Sequence, residues 1–129
     1  MVHGYRRVDL AEQLVAIEQI LESSGVRCRV TTPAAVPDHT APLLAAVLRE
    51  ATTNVLRHSR AAWCTVGVTV TASSVRMVVA NDGAVAADVD PRSSGLRGLA
   101  DRLAEAGGTL RSSRAGETFT VEAVIPSDA

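Results

Sequence analysis

The sequence is poor in aromatic residues, poor in cysteine and close to charge balance, and each shortage closes off a class of function. Phe, Trp and Tyr make up 2% of the 129 residues, too few for the stacking platforms that hold single-stranded nucleic acids. Thirteen Lys plus Arg stand against fourteen Asp plus Glu, a formal net charge of −1. The basic excess of a nucleic-acid surface is therefore missing as well. Cys28 and Cys64 have no Cys or His neighbour at a zinc-ligand spacing and offer no disulfide framework; flanked by strand-like residues, each reads as a small buried hydrophobe. No apolar run is long enough to span a membrane, and the opening "MVHGYRRVDLAEQ" lacks an apolar leader core. Internal repeats and linkers are absent, as are the Gly-Lys-Ser/Thr of a P-loop and a dinucleotide fingerprint. These exclusions leave one cytoplasmic domain, standing alone or forming the cytosolic piece of a larger protein.

What is present is Ala, Val and Leu: 47% of the chain is hydrophobic, enough mass for a compact α/β core. "DLAEQLVAIEQILESSG" predicts a helix, with Asp9 as N-cap, Leu10, Leu14, Ile17 and Leu21 on one stripe, and Gly25 as the stop. "VRCRVT" alternates as a short strand. A loop follows, and Asp38 or Thr40 can cap a second helix that carries Pro42 in its first turn and runs to about His58. "WCTVGVTVTASSVRMVVAND" predicts a hairpin turning at Ser73 and Ser74. "NDGAVAADVDPRSSG" has no periodicity and reads as a loop. "GLRGLADRLAEAGG" predicts a helix stopped by Gly107 and Gly108, and "TLRSSRAGETFTVEAVIP" a closing hairpin with Gly116 near its turn. The order α-β-α-β-β-α-β-β packs most economically as an α+β two-layer sandwich. Its sheet is mixed and mostly antiparallel, with all three helices on one face.

Three polar clusters interrupt this apolar pattern. In "REATTNVLRHS", Glu50, Asn54 and either Arg57 or His58 fall at helical spacing on one stripe. An amide oxygen there can ligate Mg²⁺, an acid can orient a hydroxyl or imidazole, and a base can face phosphate oxygens. A solvated helix face is the alternative. In "VVANDGA" a strand runs into Asn81, Asp82 and Gly83, either a tight turn or a polar group set to accept from an exocyclic amine. In "SSGLRGL", Gly95 and Gly98 open a helix, where phosphate oxygens can approach backbone N–H groups.

In this order the three clusters resemble the catalytic, ATP-binding domain of sensor histidine kinases. That domain is of the GHKL superfamily and has the Bergerat-type ATP-binding fold. The resemblance is nearest the DesK-like, NarL-partnered class and covers essentially the whole chain. It implies a single catalytic domain over 1–129, with 1–8 as lead-in from a dimerisation and phosphoacceptor region. It also implies ATP and Mg²⁺ as cofactors, a NarL-type response regulator as the parent kinase's partner, and a cytoplasmic location beneath a parent that can be membrane-anchored. "REATTNVLRHS" looks like the N box: Asn54 takes the Mg²⁺-ligating role, Glu50 that of catalytic base or positioning group, and Arg57 and His58 the phosphate-side positions. "NDG", Asn81 to Gly83, looks like the G1 box, and Gly95, Leu96 and Gly98 look like the G2 box. Residues 84–94 would be the ATP lid, and Thr118 resembles the threonine beneath the adenine.

The chain departs from the family pattern at three places. Asn81 stands where the family has its adenine-reading aspartate, an acceptor without the charge. Val85 and Ser93 replace glycines. His3, His39 and His58 lie outside any phosphoacceptor context, so the resemblance implies a catalytic fragment that serves an acceptor histidine elsewhere. A degenerate nucleotide-binding module without turnover and an anti-sigma-type serine kinase are the competing expectations.

Overall fold

The computed structural model describes residues 9–33, 35–58, 60–84 and 94–127. The expectations for His3 and the lead-in 1–8, for Val85, Ser93 and all of the 84–94 lid but its two end residues, and for the side chain of His58 lie outside the described residues.

Helix α1 spans Leu10–Ser23, and the Asp9 carboxylate accepts from the Glu12 N–H at 3.2 Å, the N-cap the sequence predicts. Leu10, Leu14, Ile17 and Leu21 form its buried stripe. Gly25, at φ +85°, then turns the chain so that Val26 N–H bonds back to the Leu21 carbonyl at 2.9 Å. Strand β1 is Arg27–Thr31. Helix α2 spans Ala41–His58. A 3-10 turn, Asp38–Thr40, runs directly into it, and the buried Thr40 hydroxyl donates to the Pro37 carbonyl at 2.7 Å. Hydroxyls compete for nearby carbonyls in this way whenever the turn before a helix is tight.

Strands β2 (Trp63–Val70) and β3 (Ser74–Asn81) form the first hairpin. Its turn centres on Thr71, whose hydroxyl oxygen accepts from the N–H groups of Ser73 and Ser74 at 3.3 and 3.1 Å. Helix α3 is Ser94–Glu105, followed by β4 (Thr109–Ala115) and β5 (Thr118–Pro126). α3 stops where expected: Gly107 adopts φ +80°, and Gly108 N–H reaches the Leu103 carbonyl at 2.7 Å. The sheet order is β1-β2-β3-β5-β4. β1 pairs with β2 in parallel because α2 crosses between them; the other pairings are antiparallel.

The pleat divides the sheet into two faces. Cys64, Val66 and Val68, then Val75, Met77, Val79 and Asn81, then Phe119, Val121, Ala123 and Ile125 are buried against the helices. Register stacks Val66, Val79 and Val121 across three strands. Leu44, Leu48 and Leu103 fill the space between sheet and helices with no exposed surface. Truncating Leu48 to Ala would leave a cavity costing about 2–5 kcal/mol. Cys28 and Cys64 face each other in the β1–β2 register inside this layer. Burial pushes their thiols up to about 11 and about 12, so both behave as the small hydrophobes the sequence suggests.

Candidate functional site

Two places on the helix-covered side hold the polar clusters. The first is a cleft of about 520 Å³ between α2 and α3. α2 contributes Ala46, Arg49, Glu50 and Thr53; α3 contributes Gly95, Gly98, Leu99 and Arg102. Each set repeats at the i, i+3, i+4, i+7 spacing of one helix face, so one stripe from each helix walls the cleft. Glu50 is half-buried and lies against the first turn of α3. A Cβ placed on Gly95 would come 2.5 Å from both Glu50 carboxylate oxygens. Only a residue without a side chain permits this approach, and the acid sits at the positive end of the α3 dipole. Glu50 makes no ion pair or hydrogen bond with any described residue. With Arg49 and Arg102 beside it, the cleft carries two guanidinium groups against one carboxylate.

Asn54 lies one turn beyond Glu50 on the same stripe, half-buried, and its amide has no hydrogen-bond partner among the described residues. Thr52 and Thr53, between them, donate to the Leu48 and Arg49 carbonyls at 2.7 and 2.9 Å, so their hydroxyls are occupied by the helix itself. Arg57 is exposed in the last turn of α2 and does not line the cleft. Leu96 points the other way from Gly95 and is 5% exposed in the core, which leaves only its backbone to offer a ligand.

The second place is the end of β3. Asn81 is 4% exposed on the helix-facing side of the sheet. Its Nδ2 donates to the Asp82 carbonyl at 2.7 Å, and no described residue donates to its Oδ1. An acceptor left unmet at that depth would cost on the order of 1–3 kcal/mol. Asp82 is used differently. Its Oδ1 accepts from the N–H groups of Ala62 and Trp63, at 2.7 and 2.9 Å, and so pins the α2–β2 connection. Gly83, at φ +73°, lets this turn close onto the same connection: a Cβ there would be 2.8 Å from the Ala61 nitrogen, with the Arg60 carbonyl closer still. Arg60 N–H bonds to the Gly83 carbonyl at 3.1 Å, and Ala84 N–H to the Glu117 carbonyl at 2.9 Å. What the sequence reads as a glycine opened for a ligand's flat ring is, among the described residues, a glycine opened for the protein's own backbone.

The structure thus gathers Glu50, Gly95 and Gly98 in one cleft, with Asn54 next to it, and keeps Asn81 on the same side of the sheet. Thr118 is not among them. β5 pairs Phe119, not Thr118, with Asn81, and alternation turns the Thr118 side chain to the opposite face. Arg49, Thr53 and Arg102 escape the motif reading, although their i, i+3, i+4 and i+7 spacing from Ala46 and from Gly95 carries the signal.

No family model matches the chain. The sensor histidine kinase LnrJ of Bacillus subtilis is 32% identical over 119 residues, covering 84% of this chain and 29% of LnrJ. The sensor histidine kinase DesK of the same organism is 30% identical over 115 residues, covering 85% of this chain and 31% of DesK. The chain therefore spans about three-tenths of the length of the curated relatives it matches. In three dimensions the catalytic domain of the histidine kinase ThkA superposes with a TM-score of 0.69 at 14% identity, covering 92% of this chain and 90% of that one. Helices layered over a mixed five-stranded sheet are the fold this chain shares with histidine-kinase catalytic domains. Within that class the chain belongs with the sensor histidine kinases of the DesK-like kind.

Proposed function

We propose that this chain is the ATP·Mg²⁺-binding catalytic domain of a two-component sensor histidine kinase, and that it delivers the γ-phosphoryl group of ATP to a histidine on a separate dimerisation domain. The observation that carries this reading is the meeting of Glu50 on α2 with Gly95 in the first turn of α3. An acid and a helix start then share one cleft, in a chain whose relatives are sensor histidine kinases.

The residues fit the nucleotide and its metal. Asn54 offers an amide oxygen without a partner among the described residues, the hard donor Mg²⁺ takes. The N–H groups around Gly95 and Gly98 can receive phosphate oxygens at a helix start. Arg49 and Arg102 add positive charge from the cleft walls and Arg57 from the end of α2, while a phosphate-side role for His58 rests on the resemblance alone. Asn81 accepts from an adenine amine through its Oδ1, to which no described residue donates, without the charge an aspartate would bring. Asp82 and Gly83 contribute by holding that turn in place. Glu50 orients the incoming imidazole and accepts its proton. Bound Mg²⁺ supplies neutralisation of phosphate charge; the remainder is positioning by the chain's own groups.

On this reading residues 1–129 form one domain, with 1–8 leading in from the dimerisation region. The parent kinase passes the phosphoryl group to a NarL-type response regulator. The domain lies on the cytoplasmic side of any membrane; no helix among the described residues is long and apolar enough to cross one.

Calorimetric titration with ADP and with a non-hydrolysable ATP analogue, with and without Mg²⁺, tests the reading. One saturable site strengthened by Mg²⁺, weakened at least tenfold in Asn54→Ala while circular dichroism stays unchanged, is the expected outcome. No binding up to millimolar nucleotide would instead mark the chain as a module that has lost its ligand.

A further inference from the structure

The face of the sheet turned away from the helices is covered by no described segment, and its charge is lopsided. Outward positions that follow from the register include Arg27 and Arg29 on β1, Trp63 on β2, Arg76 on β3, Glu122 on β5 and Arg111 on β4. Four guanidinium groups therefore stand against one carboxylate. Glu122 is ion-paired with Arg76 and lies directly across from Arg111. Since the whole chain has a net charge of −1, this positive charge is concentrated by sorting. α1 shows the other half of the sorting, with Glu12, Glu18 and Glu22 and no basic residue.

The face is also shaped. A depression of about 370 Å³ lies over β3, β5 and β4, floored by Val78 and edged by Arg76, Arg111, Ser113, Thr120 and Glu122. Strands lie about 4.8 Å apart, so Arg29 on β1 and Arg111 on β4 are separated by roughly 19 Å. An extended segment rising about 3.3 Å per residue crosses that distance in about six residues. Alternate side chains of such a segment face the sheet, with the middle ones over Val78 and Thr120 and the end ones at the arginines.

We propose that this open sheet face docks an acidic, extended segment of a partner protein: carboxylates at its ends pair with Arg29 and Arg111, and small apolar side chains between them settle over Val78. Arginine suits the role because its planar fork binds a carboxylate through two parallel N–H donors. The central Glu122 and the apolar floor favour a peptide with spaced acids over a nucleic-acid backbone, whose continuous phosphates would run across Glu122. This surface is distinct from the α2–α3 cleft and stands whether or not the cleft binds nucleotide.

The probe is the heptapeptide Glu-Ser-Val-Ser-Val-Ser-Glu, titrated into the isotope-labelled chain and followed by amide chemical shifts at low salt. Saturable shifts running from β1 across β3 and β5 to β4, weakening as salt rises, are expected. Arg29→Glu/Arg111→Glu should weaken the peptide at least tenfold, while the charge-matched Arg60→Glu/Arg97→Glu should stay within twofold. The wild-type shift map holds the proposal testable if the double variant misfolds. Shifts that are absent or confined to the helical side, equal loss in both double variants, or tighter binding of oligothymidylate than of the peptide would each overturn it.

Discussion

Two places in this molecule pair an acid with a glycine, and they come to opposite ends. At the α2–α3 cleft, Glu50 rests against Gly95, and the carboxylate has no hydrogen bond to any described residue. At the end of β3, Asp82 and Gly83 are spent on the fold: the carboxylate holds the Ala62 and Trp63 amides, and the glycine makes room for the Arg60–Ala61 backbone. In the sequence the two look equally able to meet a ligand. What separates them is where the backbone N–H groups lie. Donors left over where a helix ends and a strand begins will claim a nearby carboxylate, whereas Glu50 projects from mid-helix on α2, and no described N–H group bonds to its carboxylate.

The largest expected effect comes from breaking the closed place. Gly83→Ala must both abandon φ +73° and push a methyl group into the Arg60 carbonyl. A loss of about 2–4 kcal/mol in denaturant unfolding is expected. Because a backbone carbonyl cannot rotate away as a side chain can, no local adjustment rescues it. Asp82→Ala should follow with about 1.5–3 kcal/mol, since it leaves two N–H groups without their charged acceptor. Asp82→Asn, which keeps an acceptor oxygen, should recover part of that loss. Were Asp82→Ala instead to leave stability untouched while weakening nucleotide binding, its carboxylate would belong to the open place. The smallest effect is expected from Thr118→Val. Its side chain lies on the far face from Asn81, so nucleotide affinity should remain within twofold by calorimetry and stability within about 0.5 kcal/mol.

Element types and order were legible because the periods are clean: the 3.6-residue stripe of Leu10, Leu14, Ile17 and Leu21 and the alternation of β2, β3 and β5 leave little choice. Glycine stops at Gly25 and Gly107 fixed the ends of α1 and α3. The entry to α2 is less sharply written, since both Asp38 and Thr40 can cap; the structure adds a 3-10 turn there, with the Thr40 hydroxyl donating to the Pro37 carbonyl. The cleft was half legible. Glu50, Asn54, Gly95 and Gly98 stand out as residue types, whereas Arg49 and Arg102 are ordinary surface arginines until two helices bring their stripes together. Thr118 is a matter of parity: whether it or Phe119 faces inward depends on the two-residue turn at Gly116 and Glu117, and the register decided for Phe119.

The most direct test of the contrast is thermal unfolding of Gly95→Ala with and without a non-hydrolysable ATP analogue and Mg²⁺, beside the unmodified chain. The added methyl meets only the mobile end of Glu50, so the ligand-free midpoint should fall by no more than about 1 kcal/mol of stability allows, and an alanine in a helix offsets part of even that. The nucleotide-induced rise in midpoint, present in the unmodified chain, should disappear. A Gly95→Ala protein that loses stability on the scale of Gly83→Ala, or one that keeps the full nucleotide shift, would contradict the assignment of Glu50 and Gly95 to an open site.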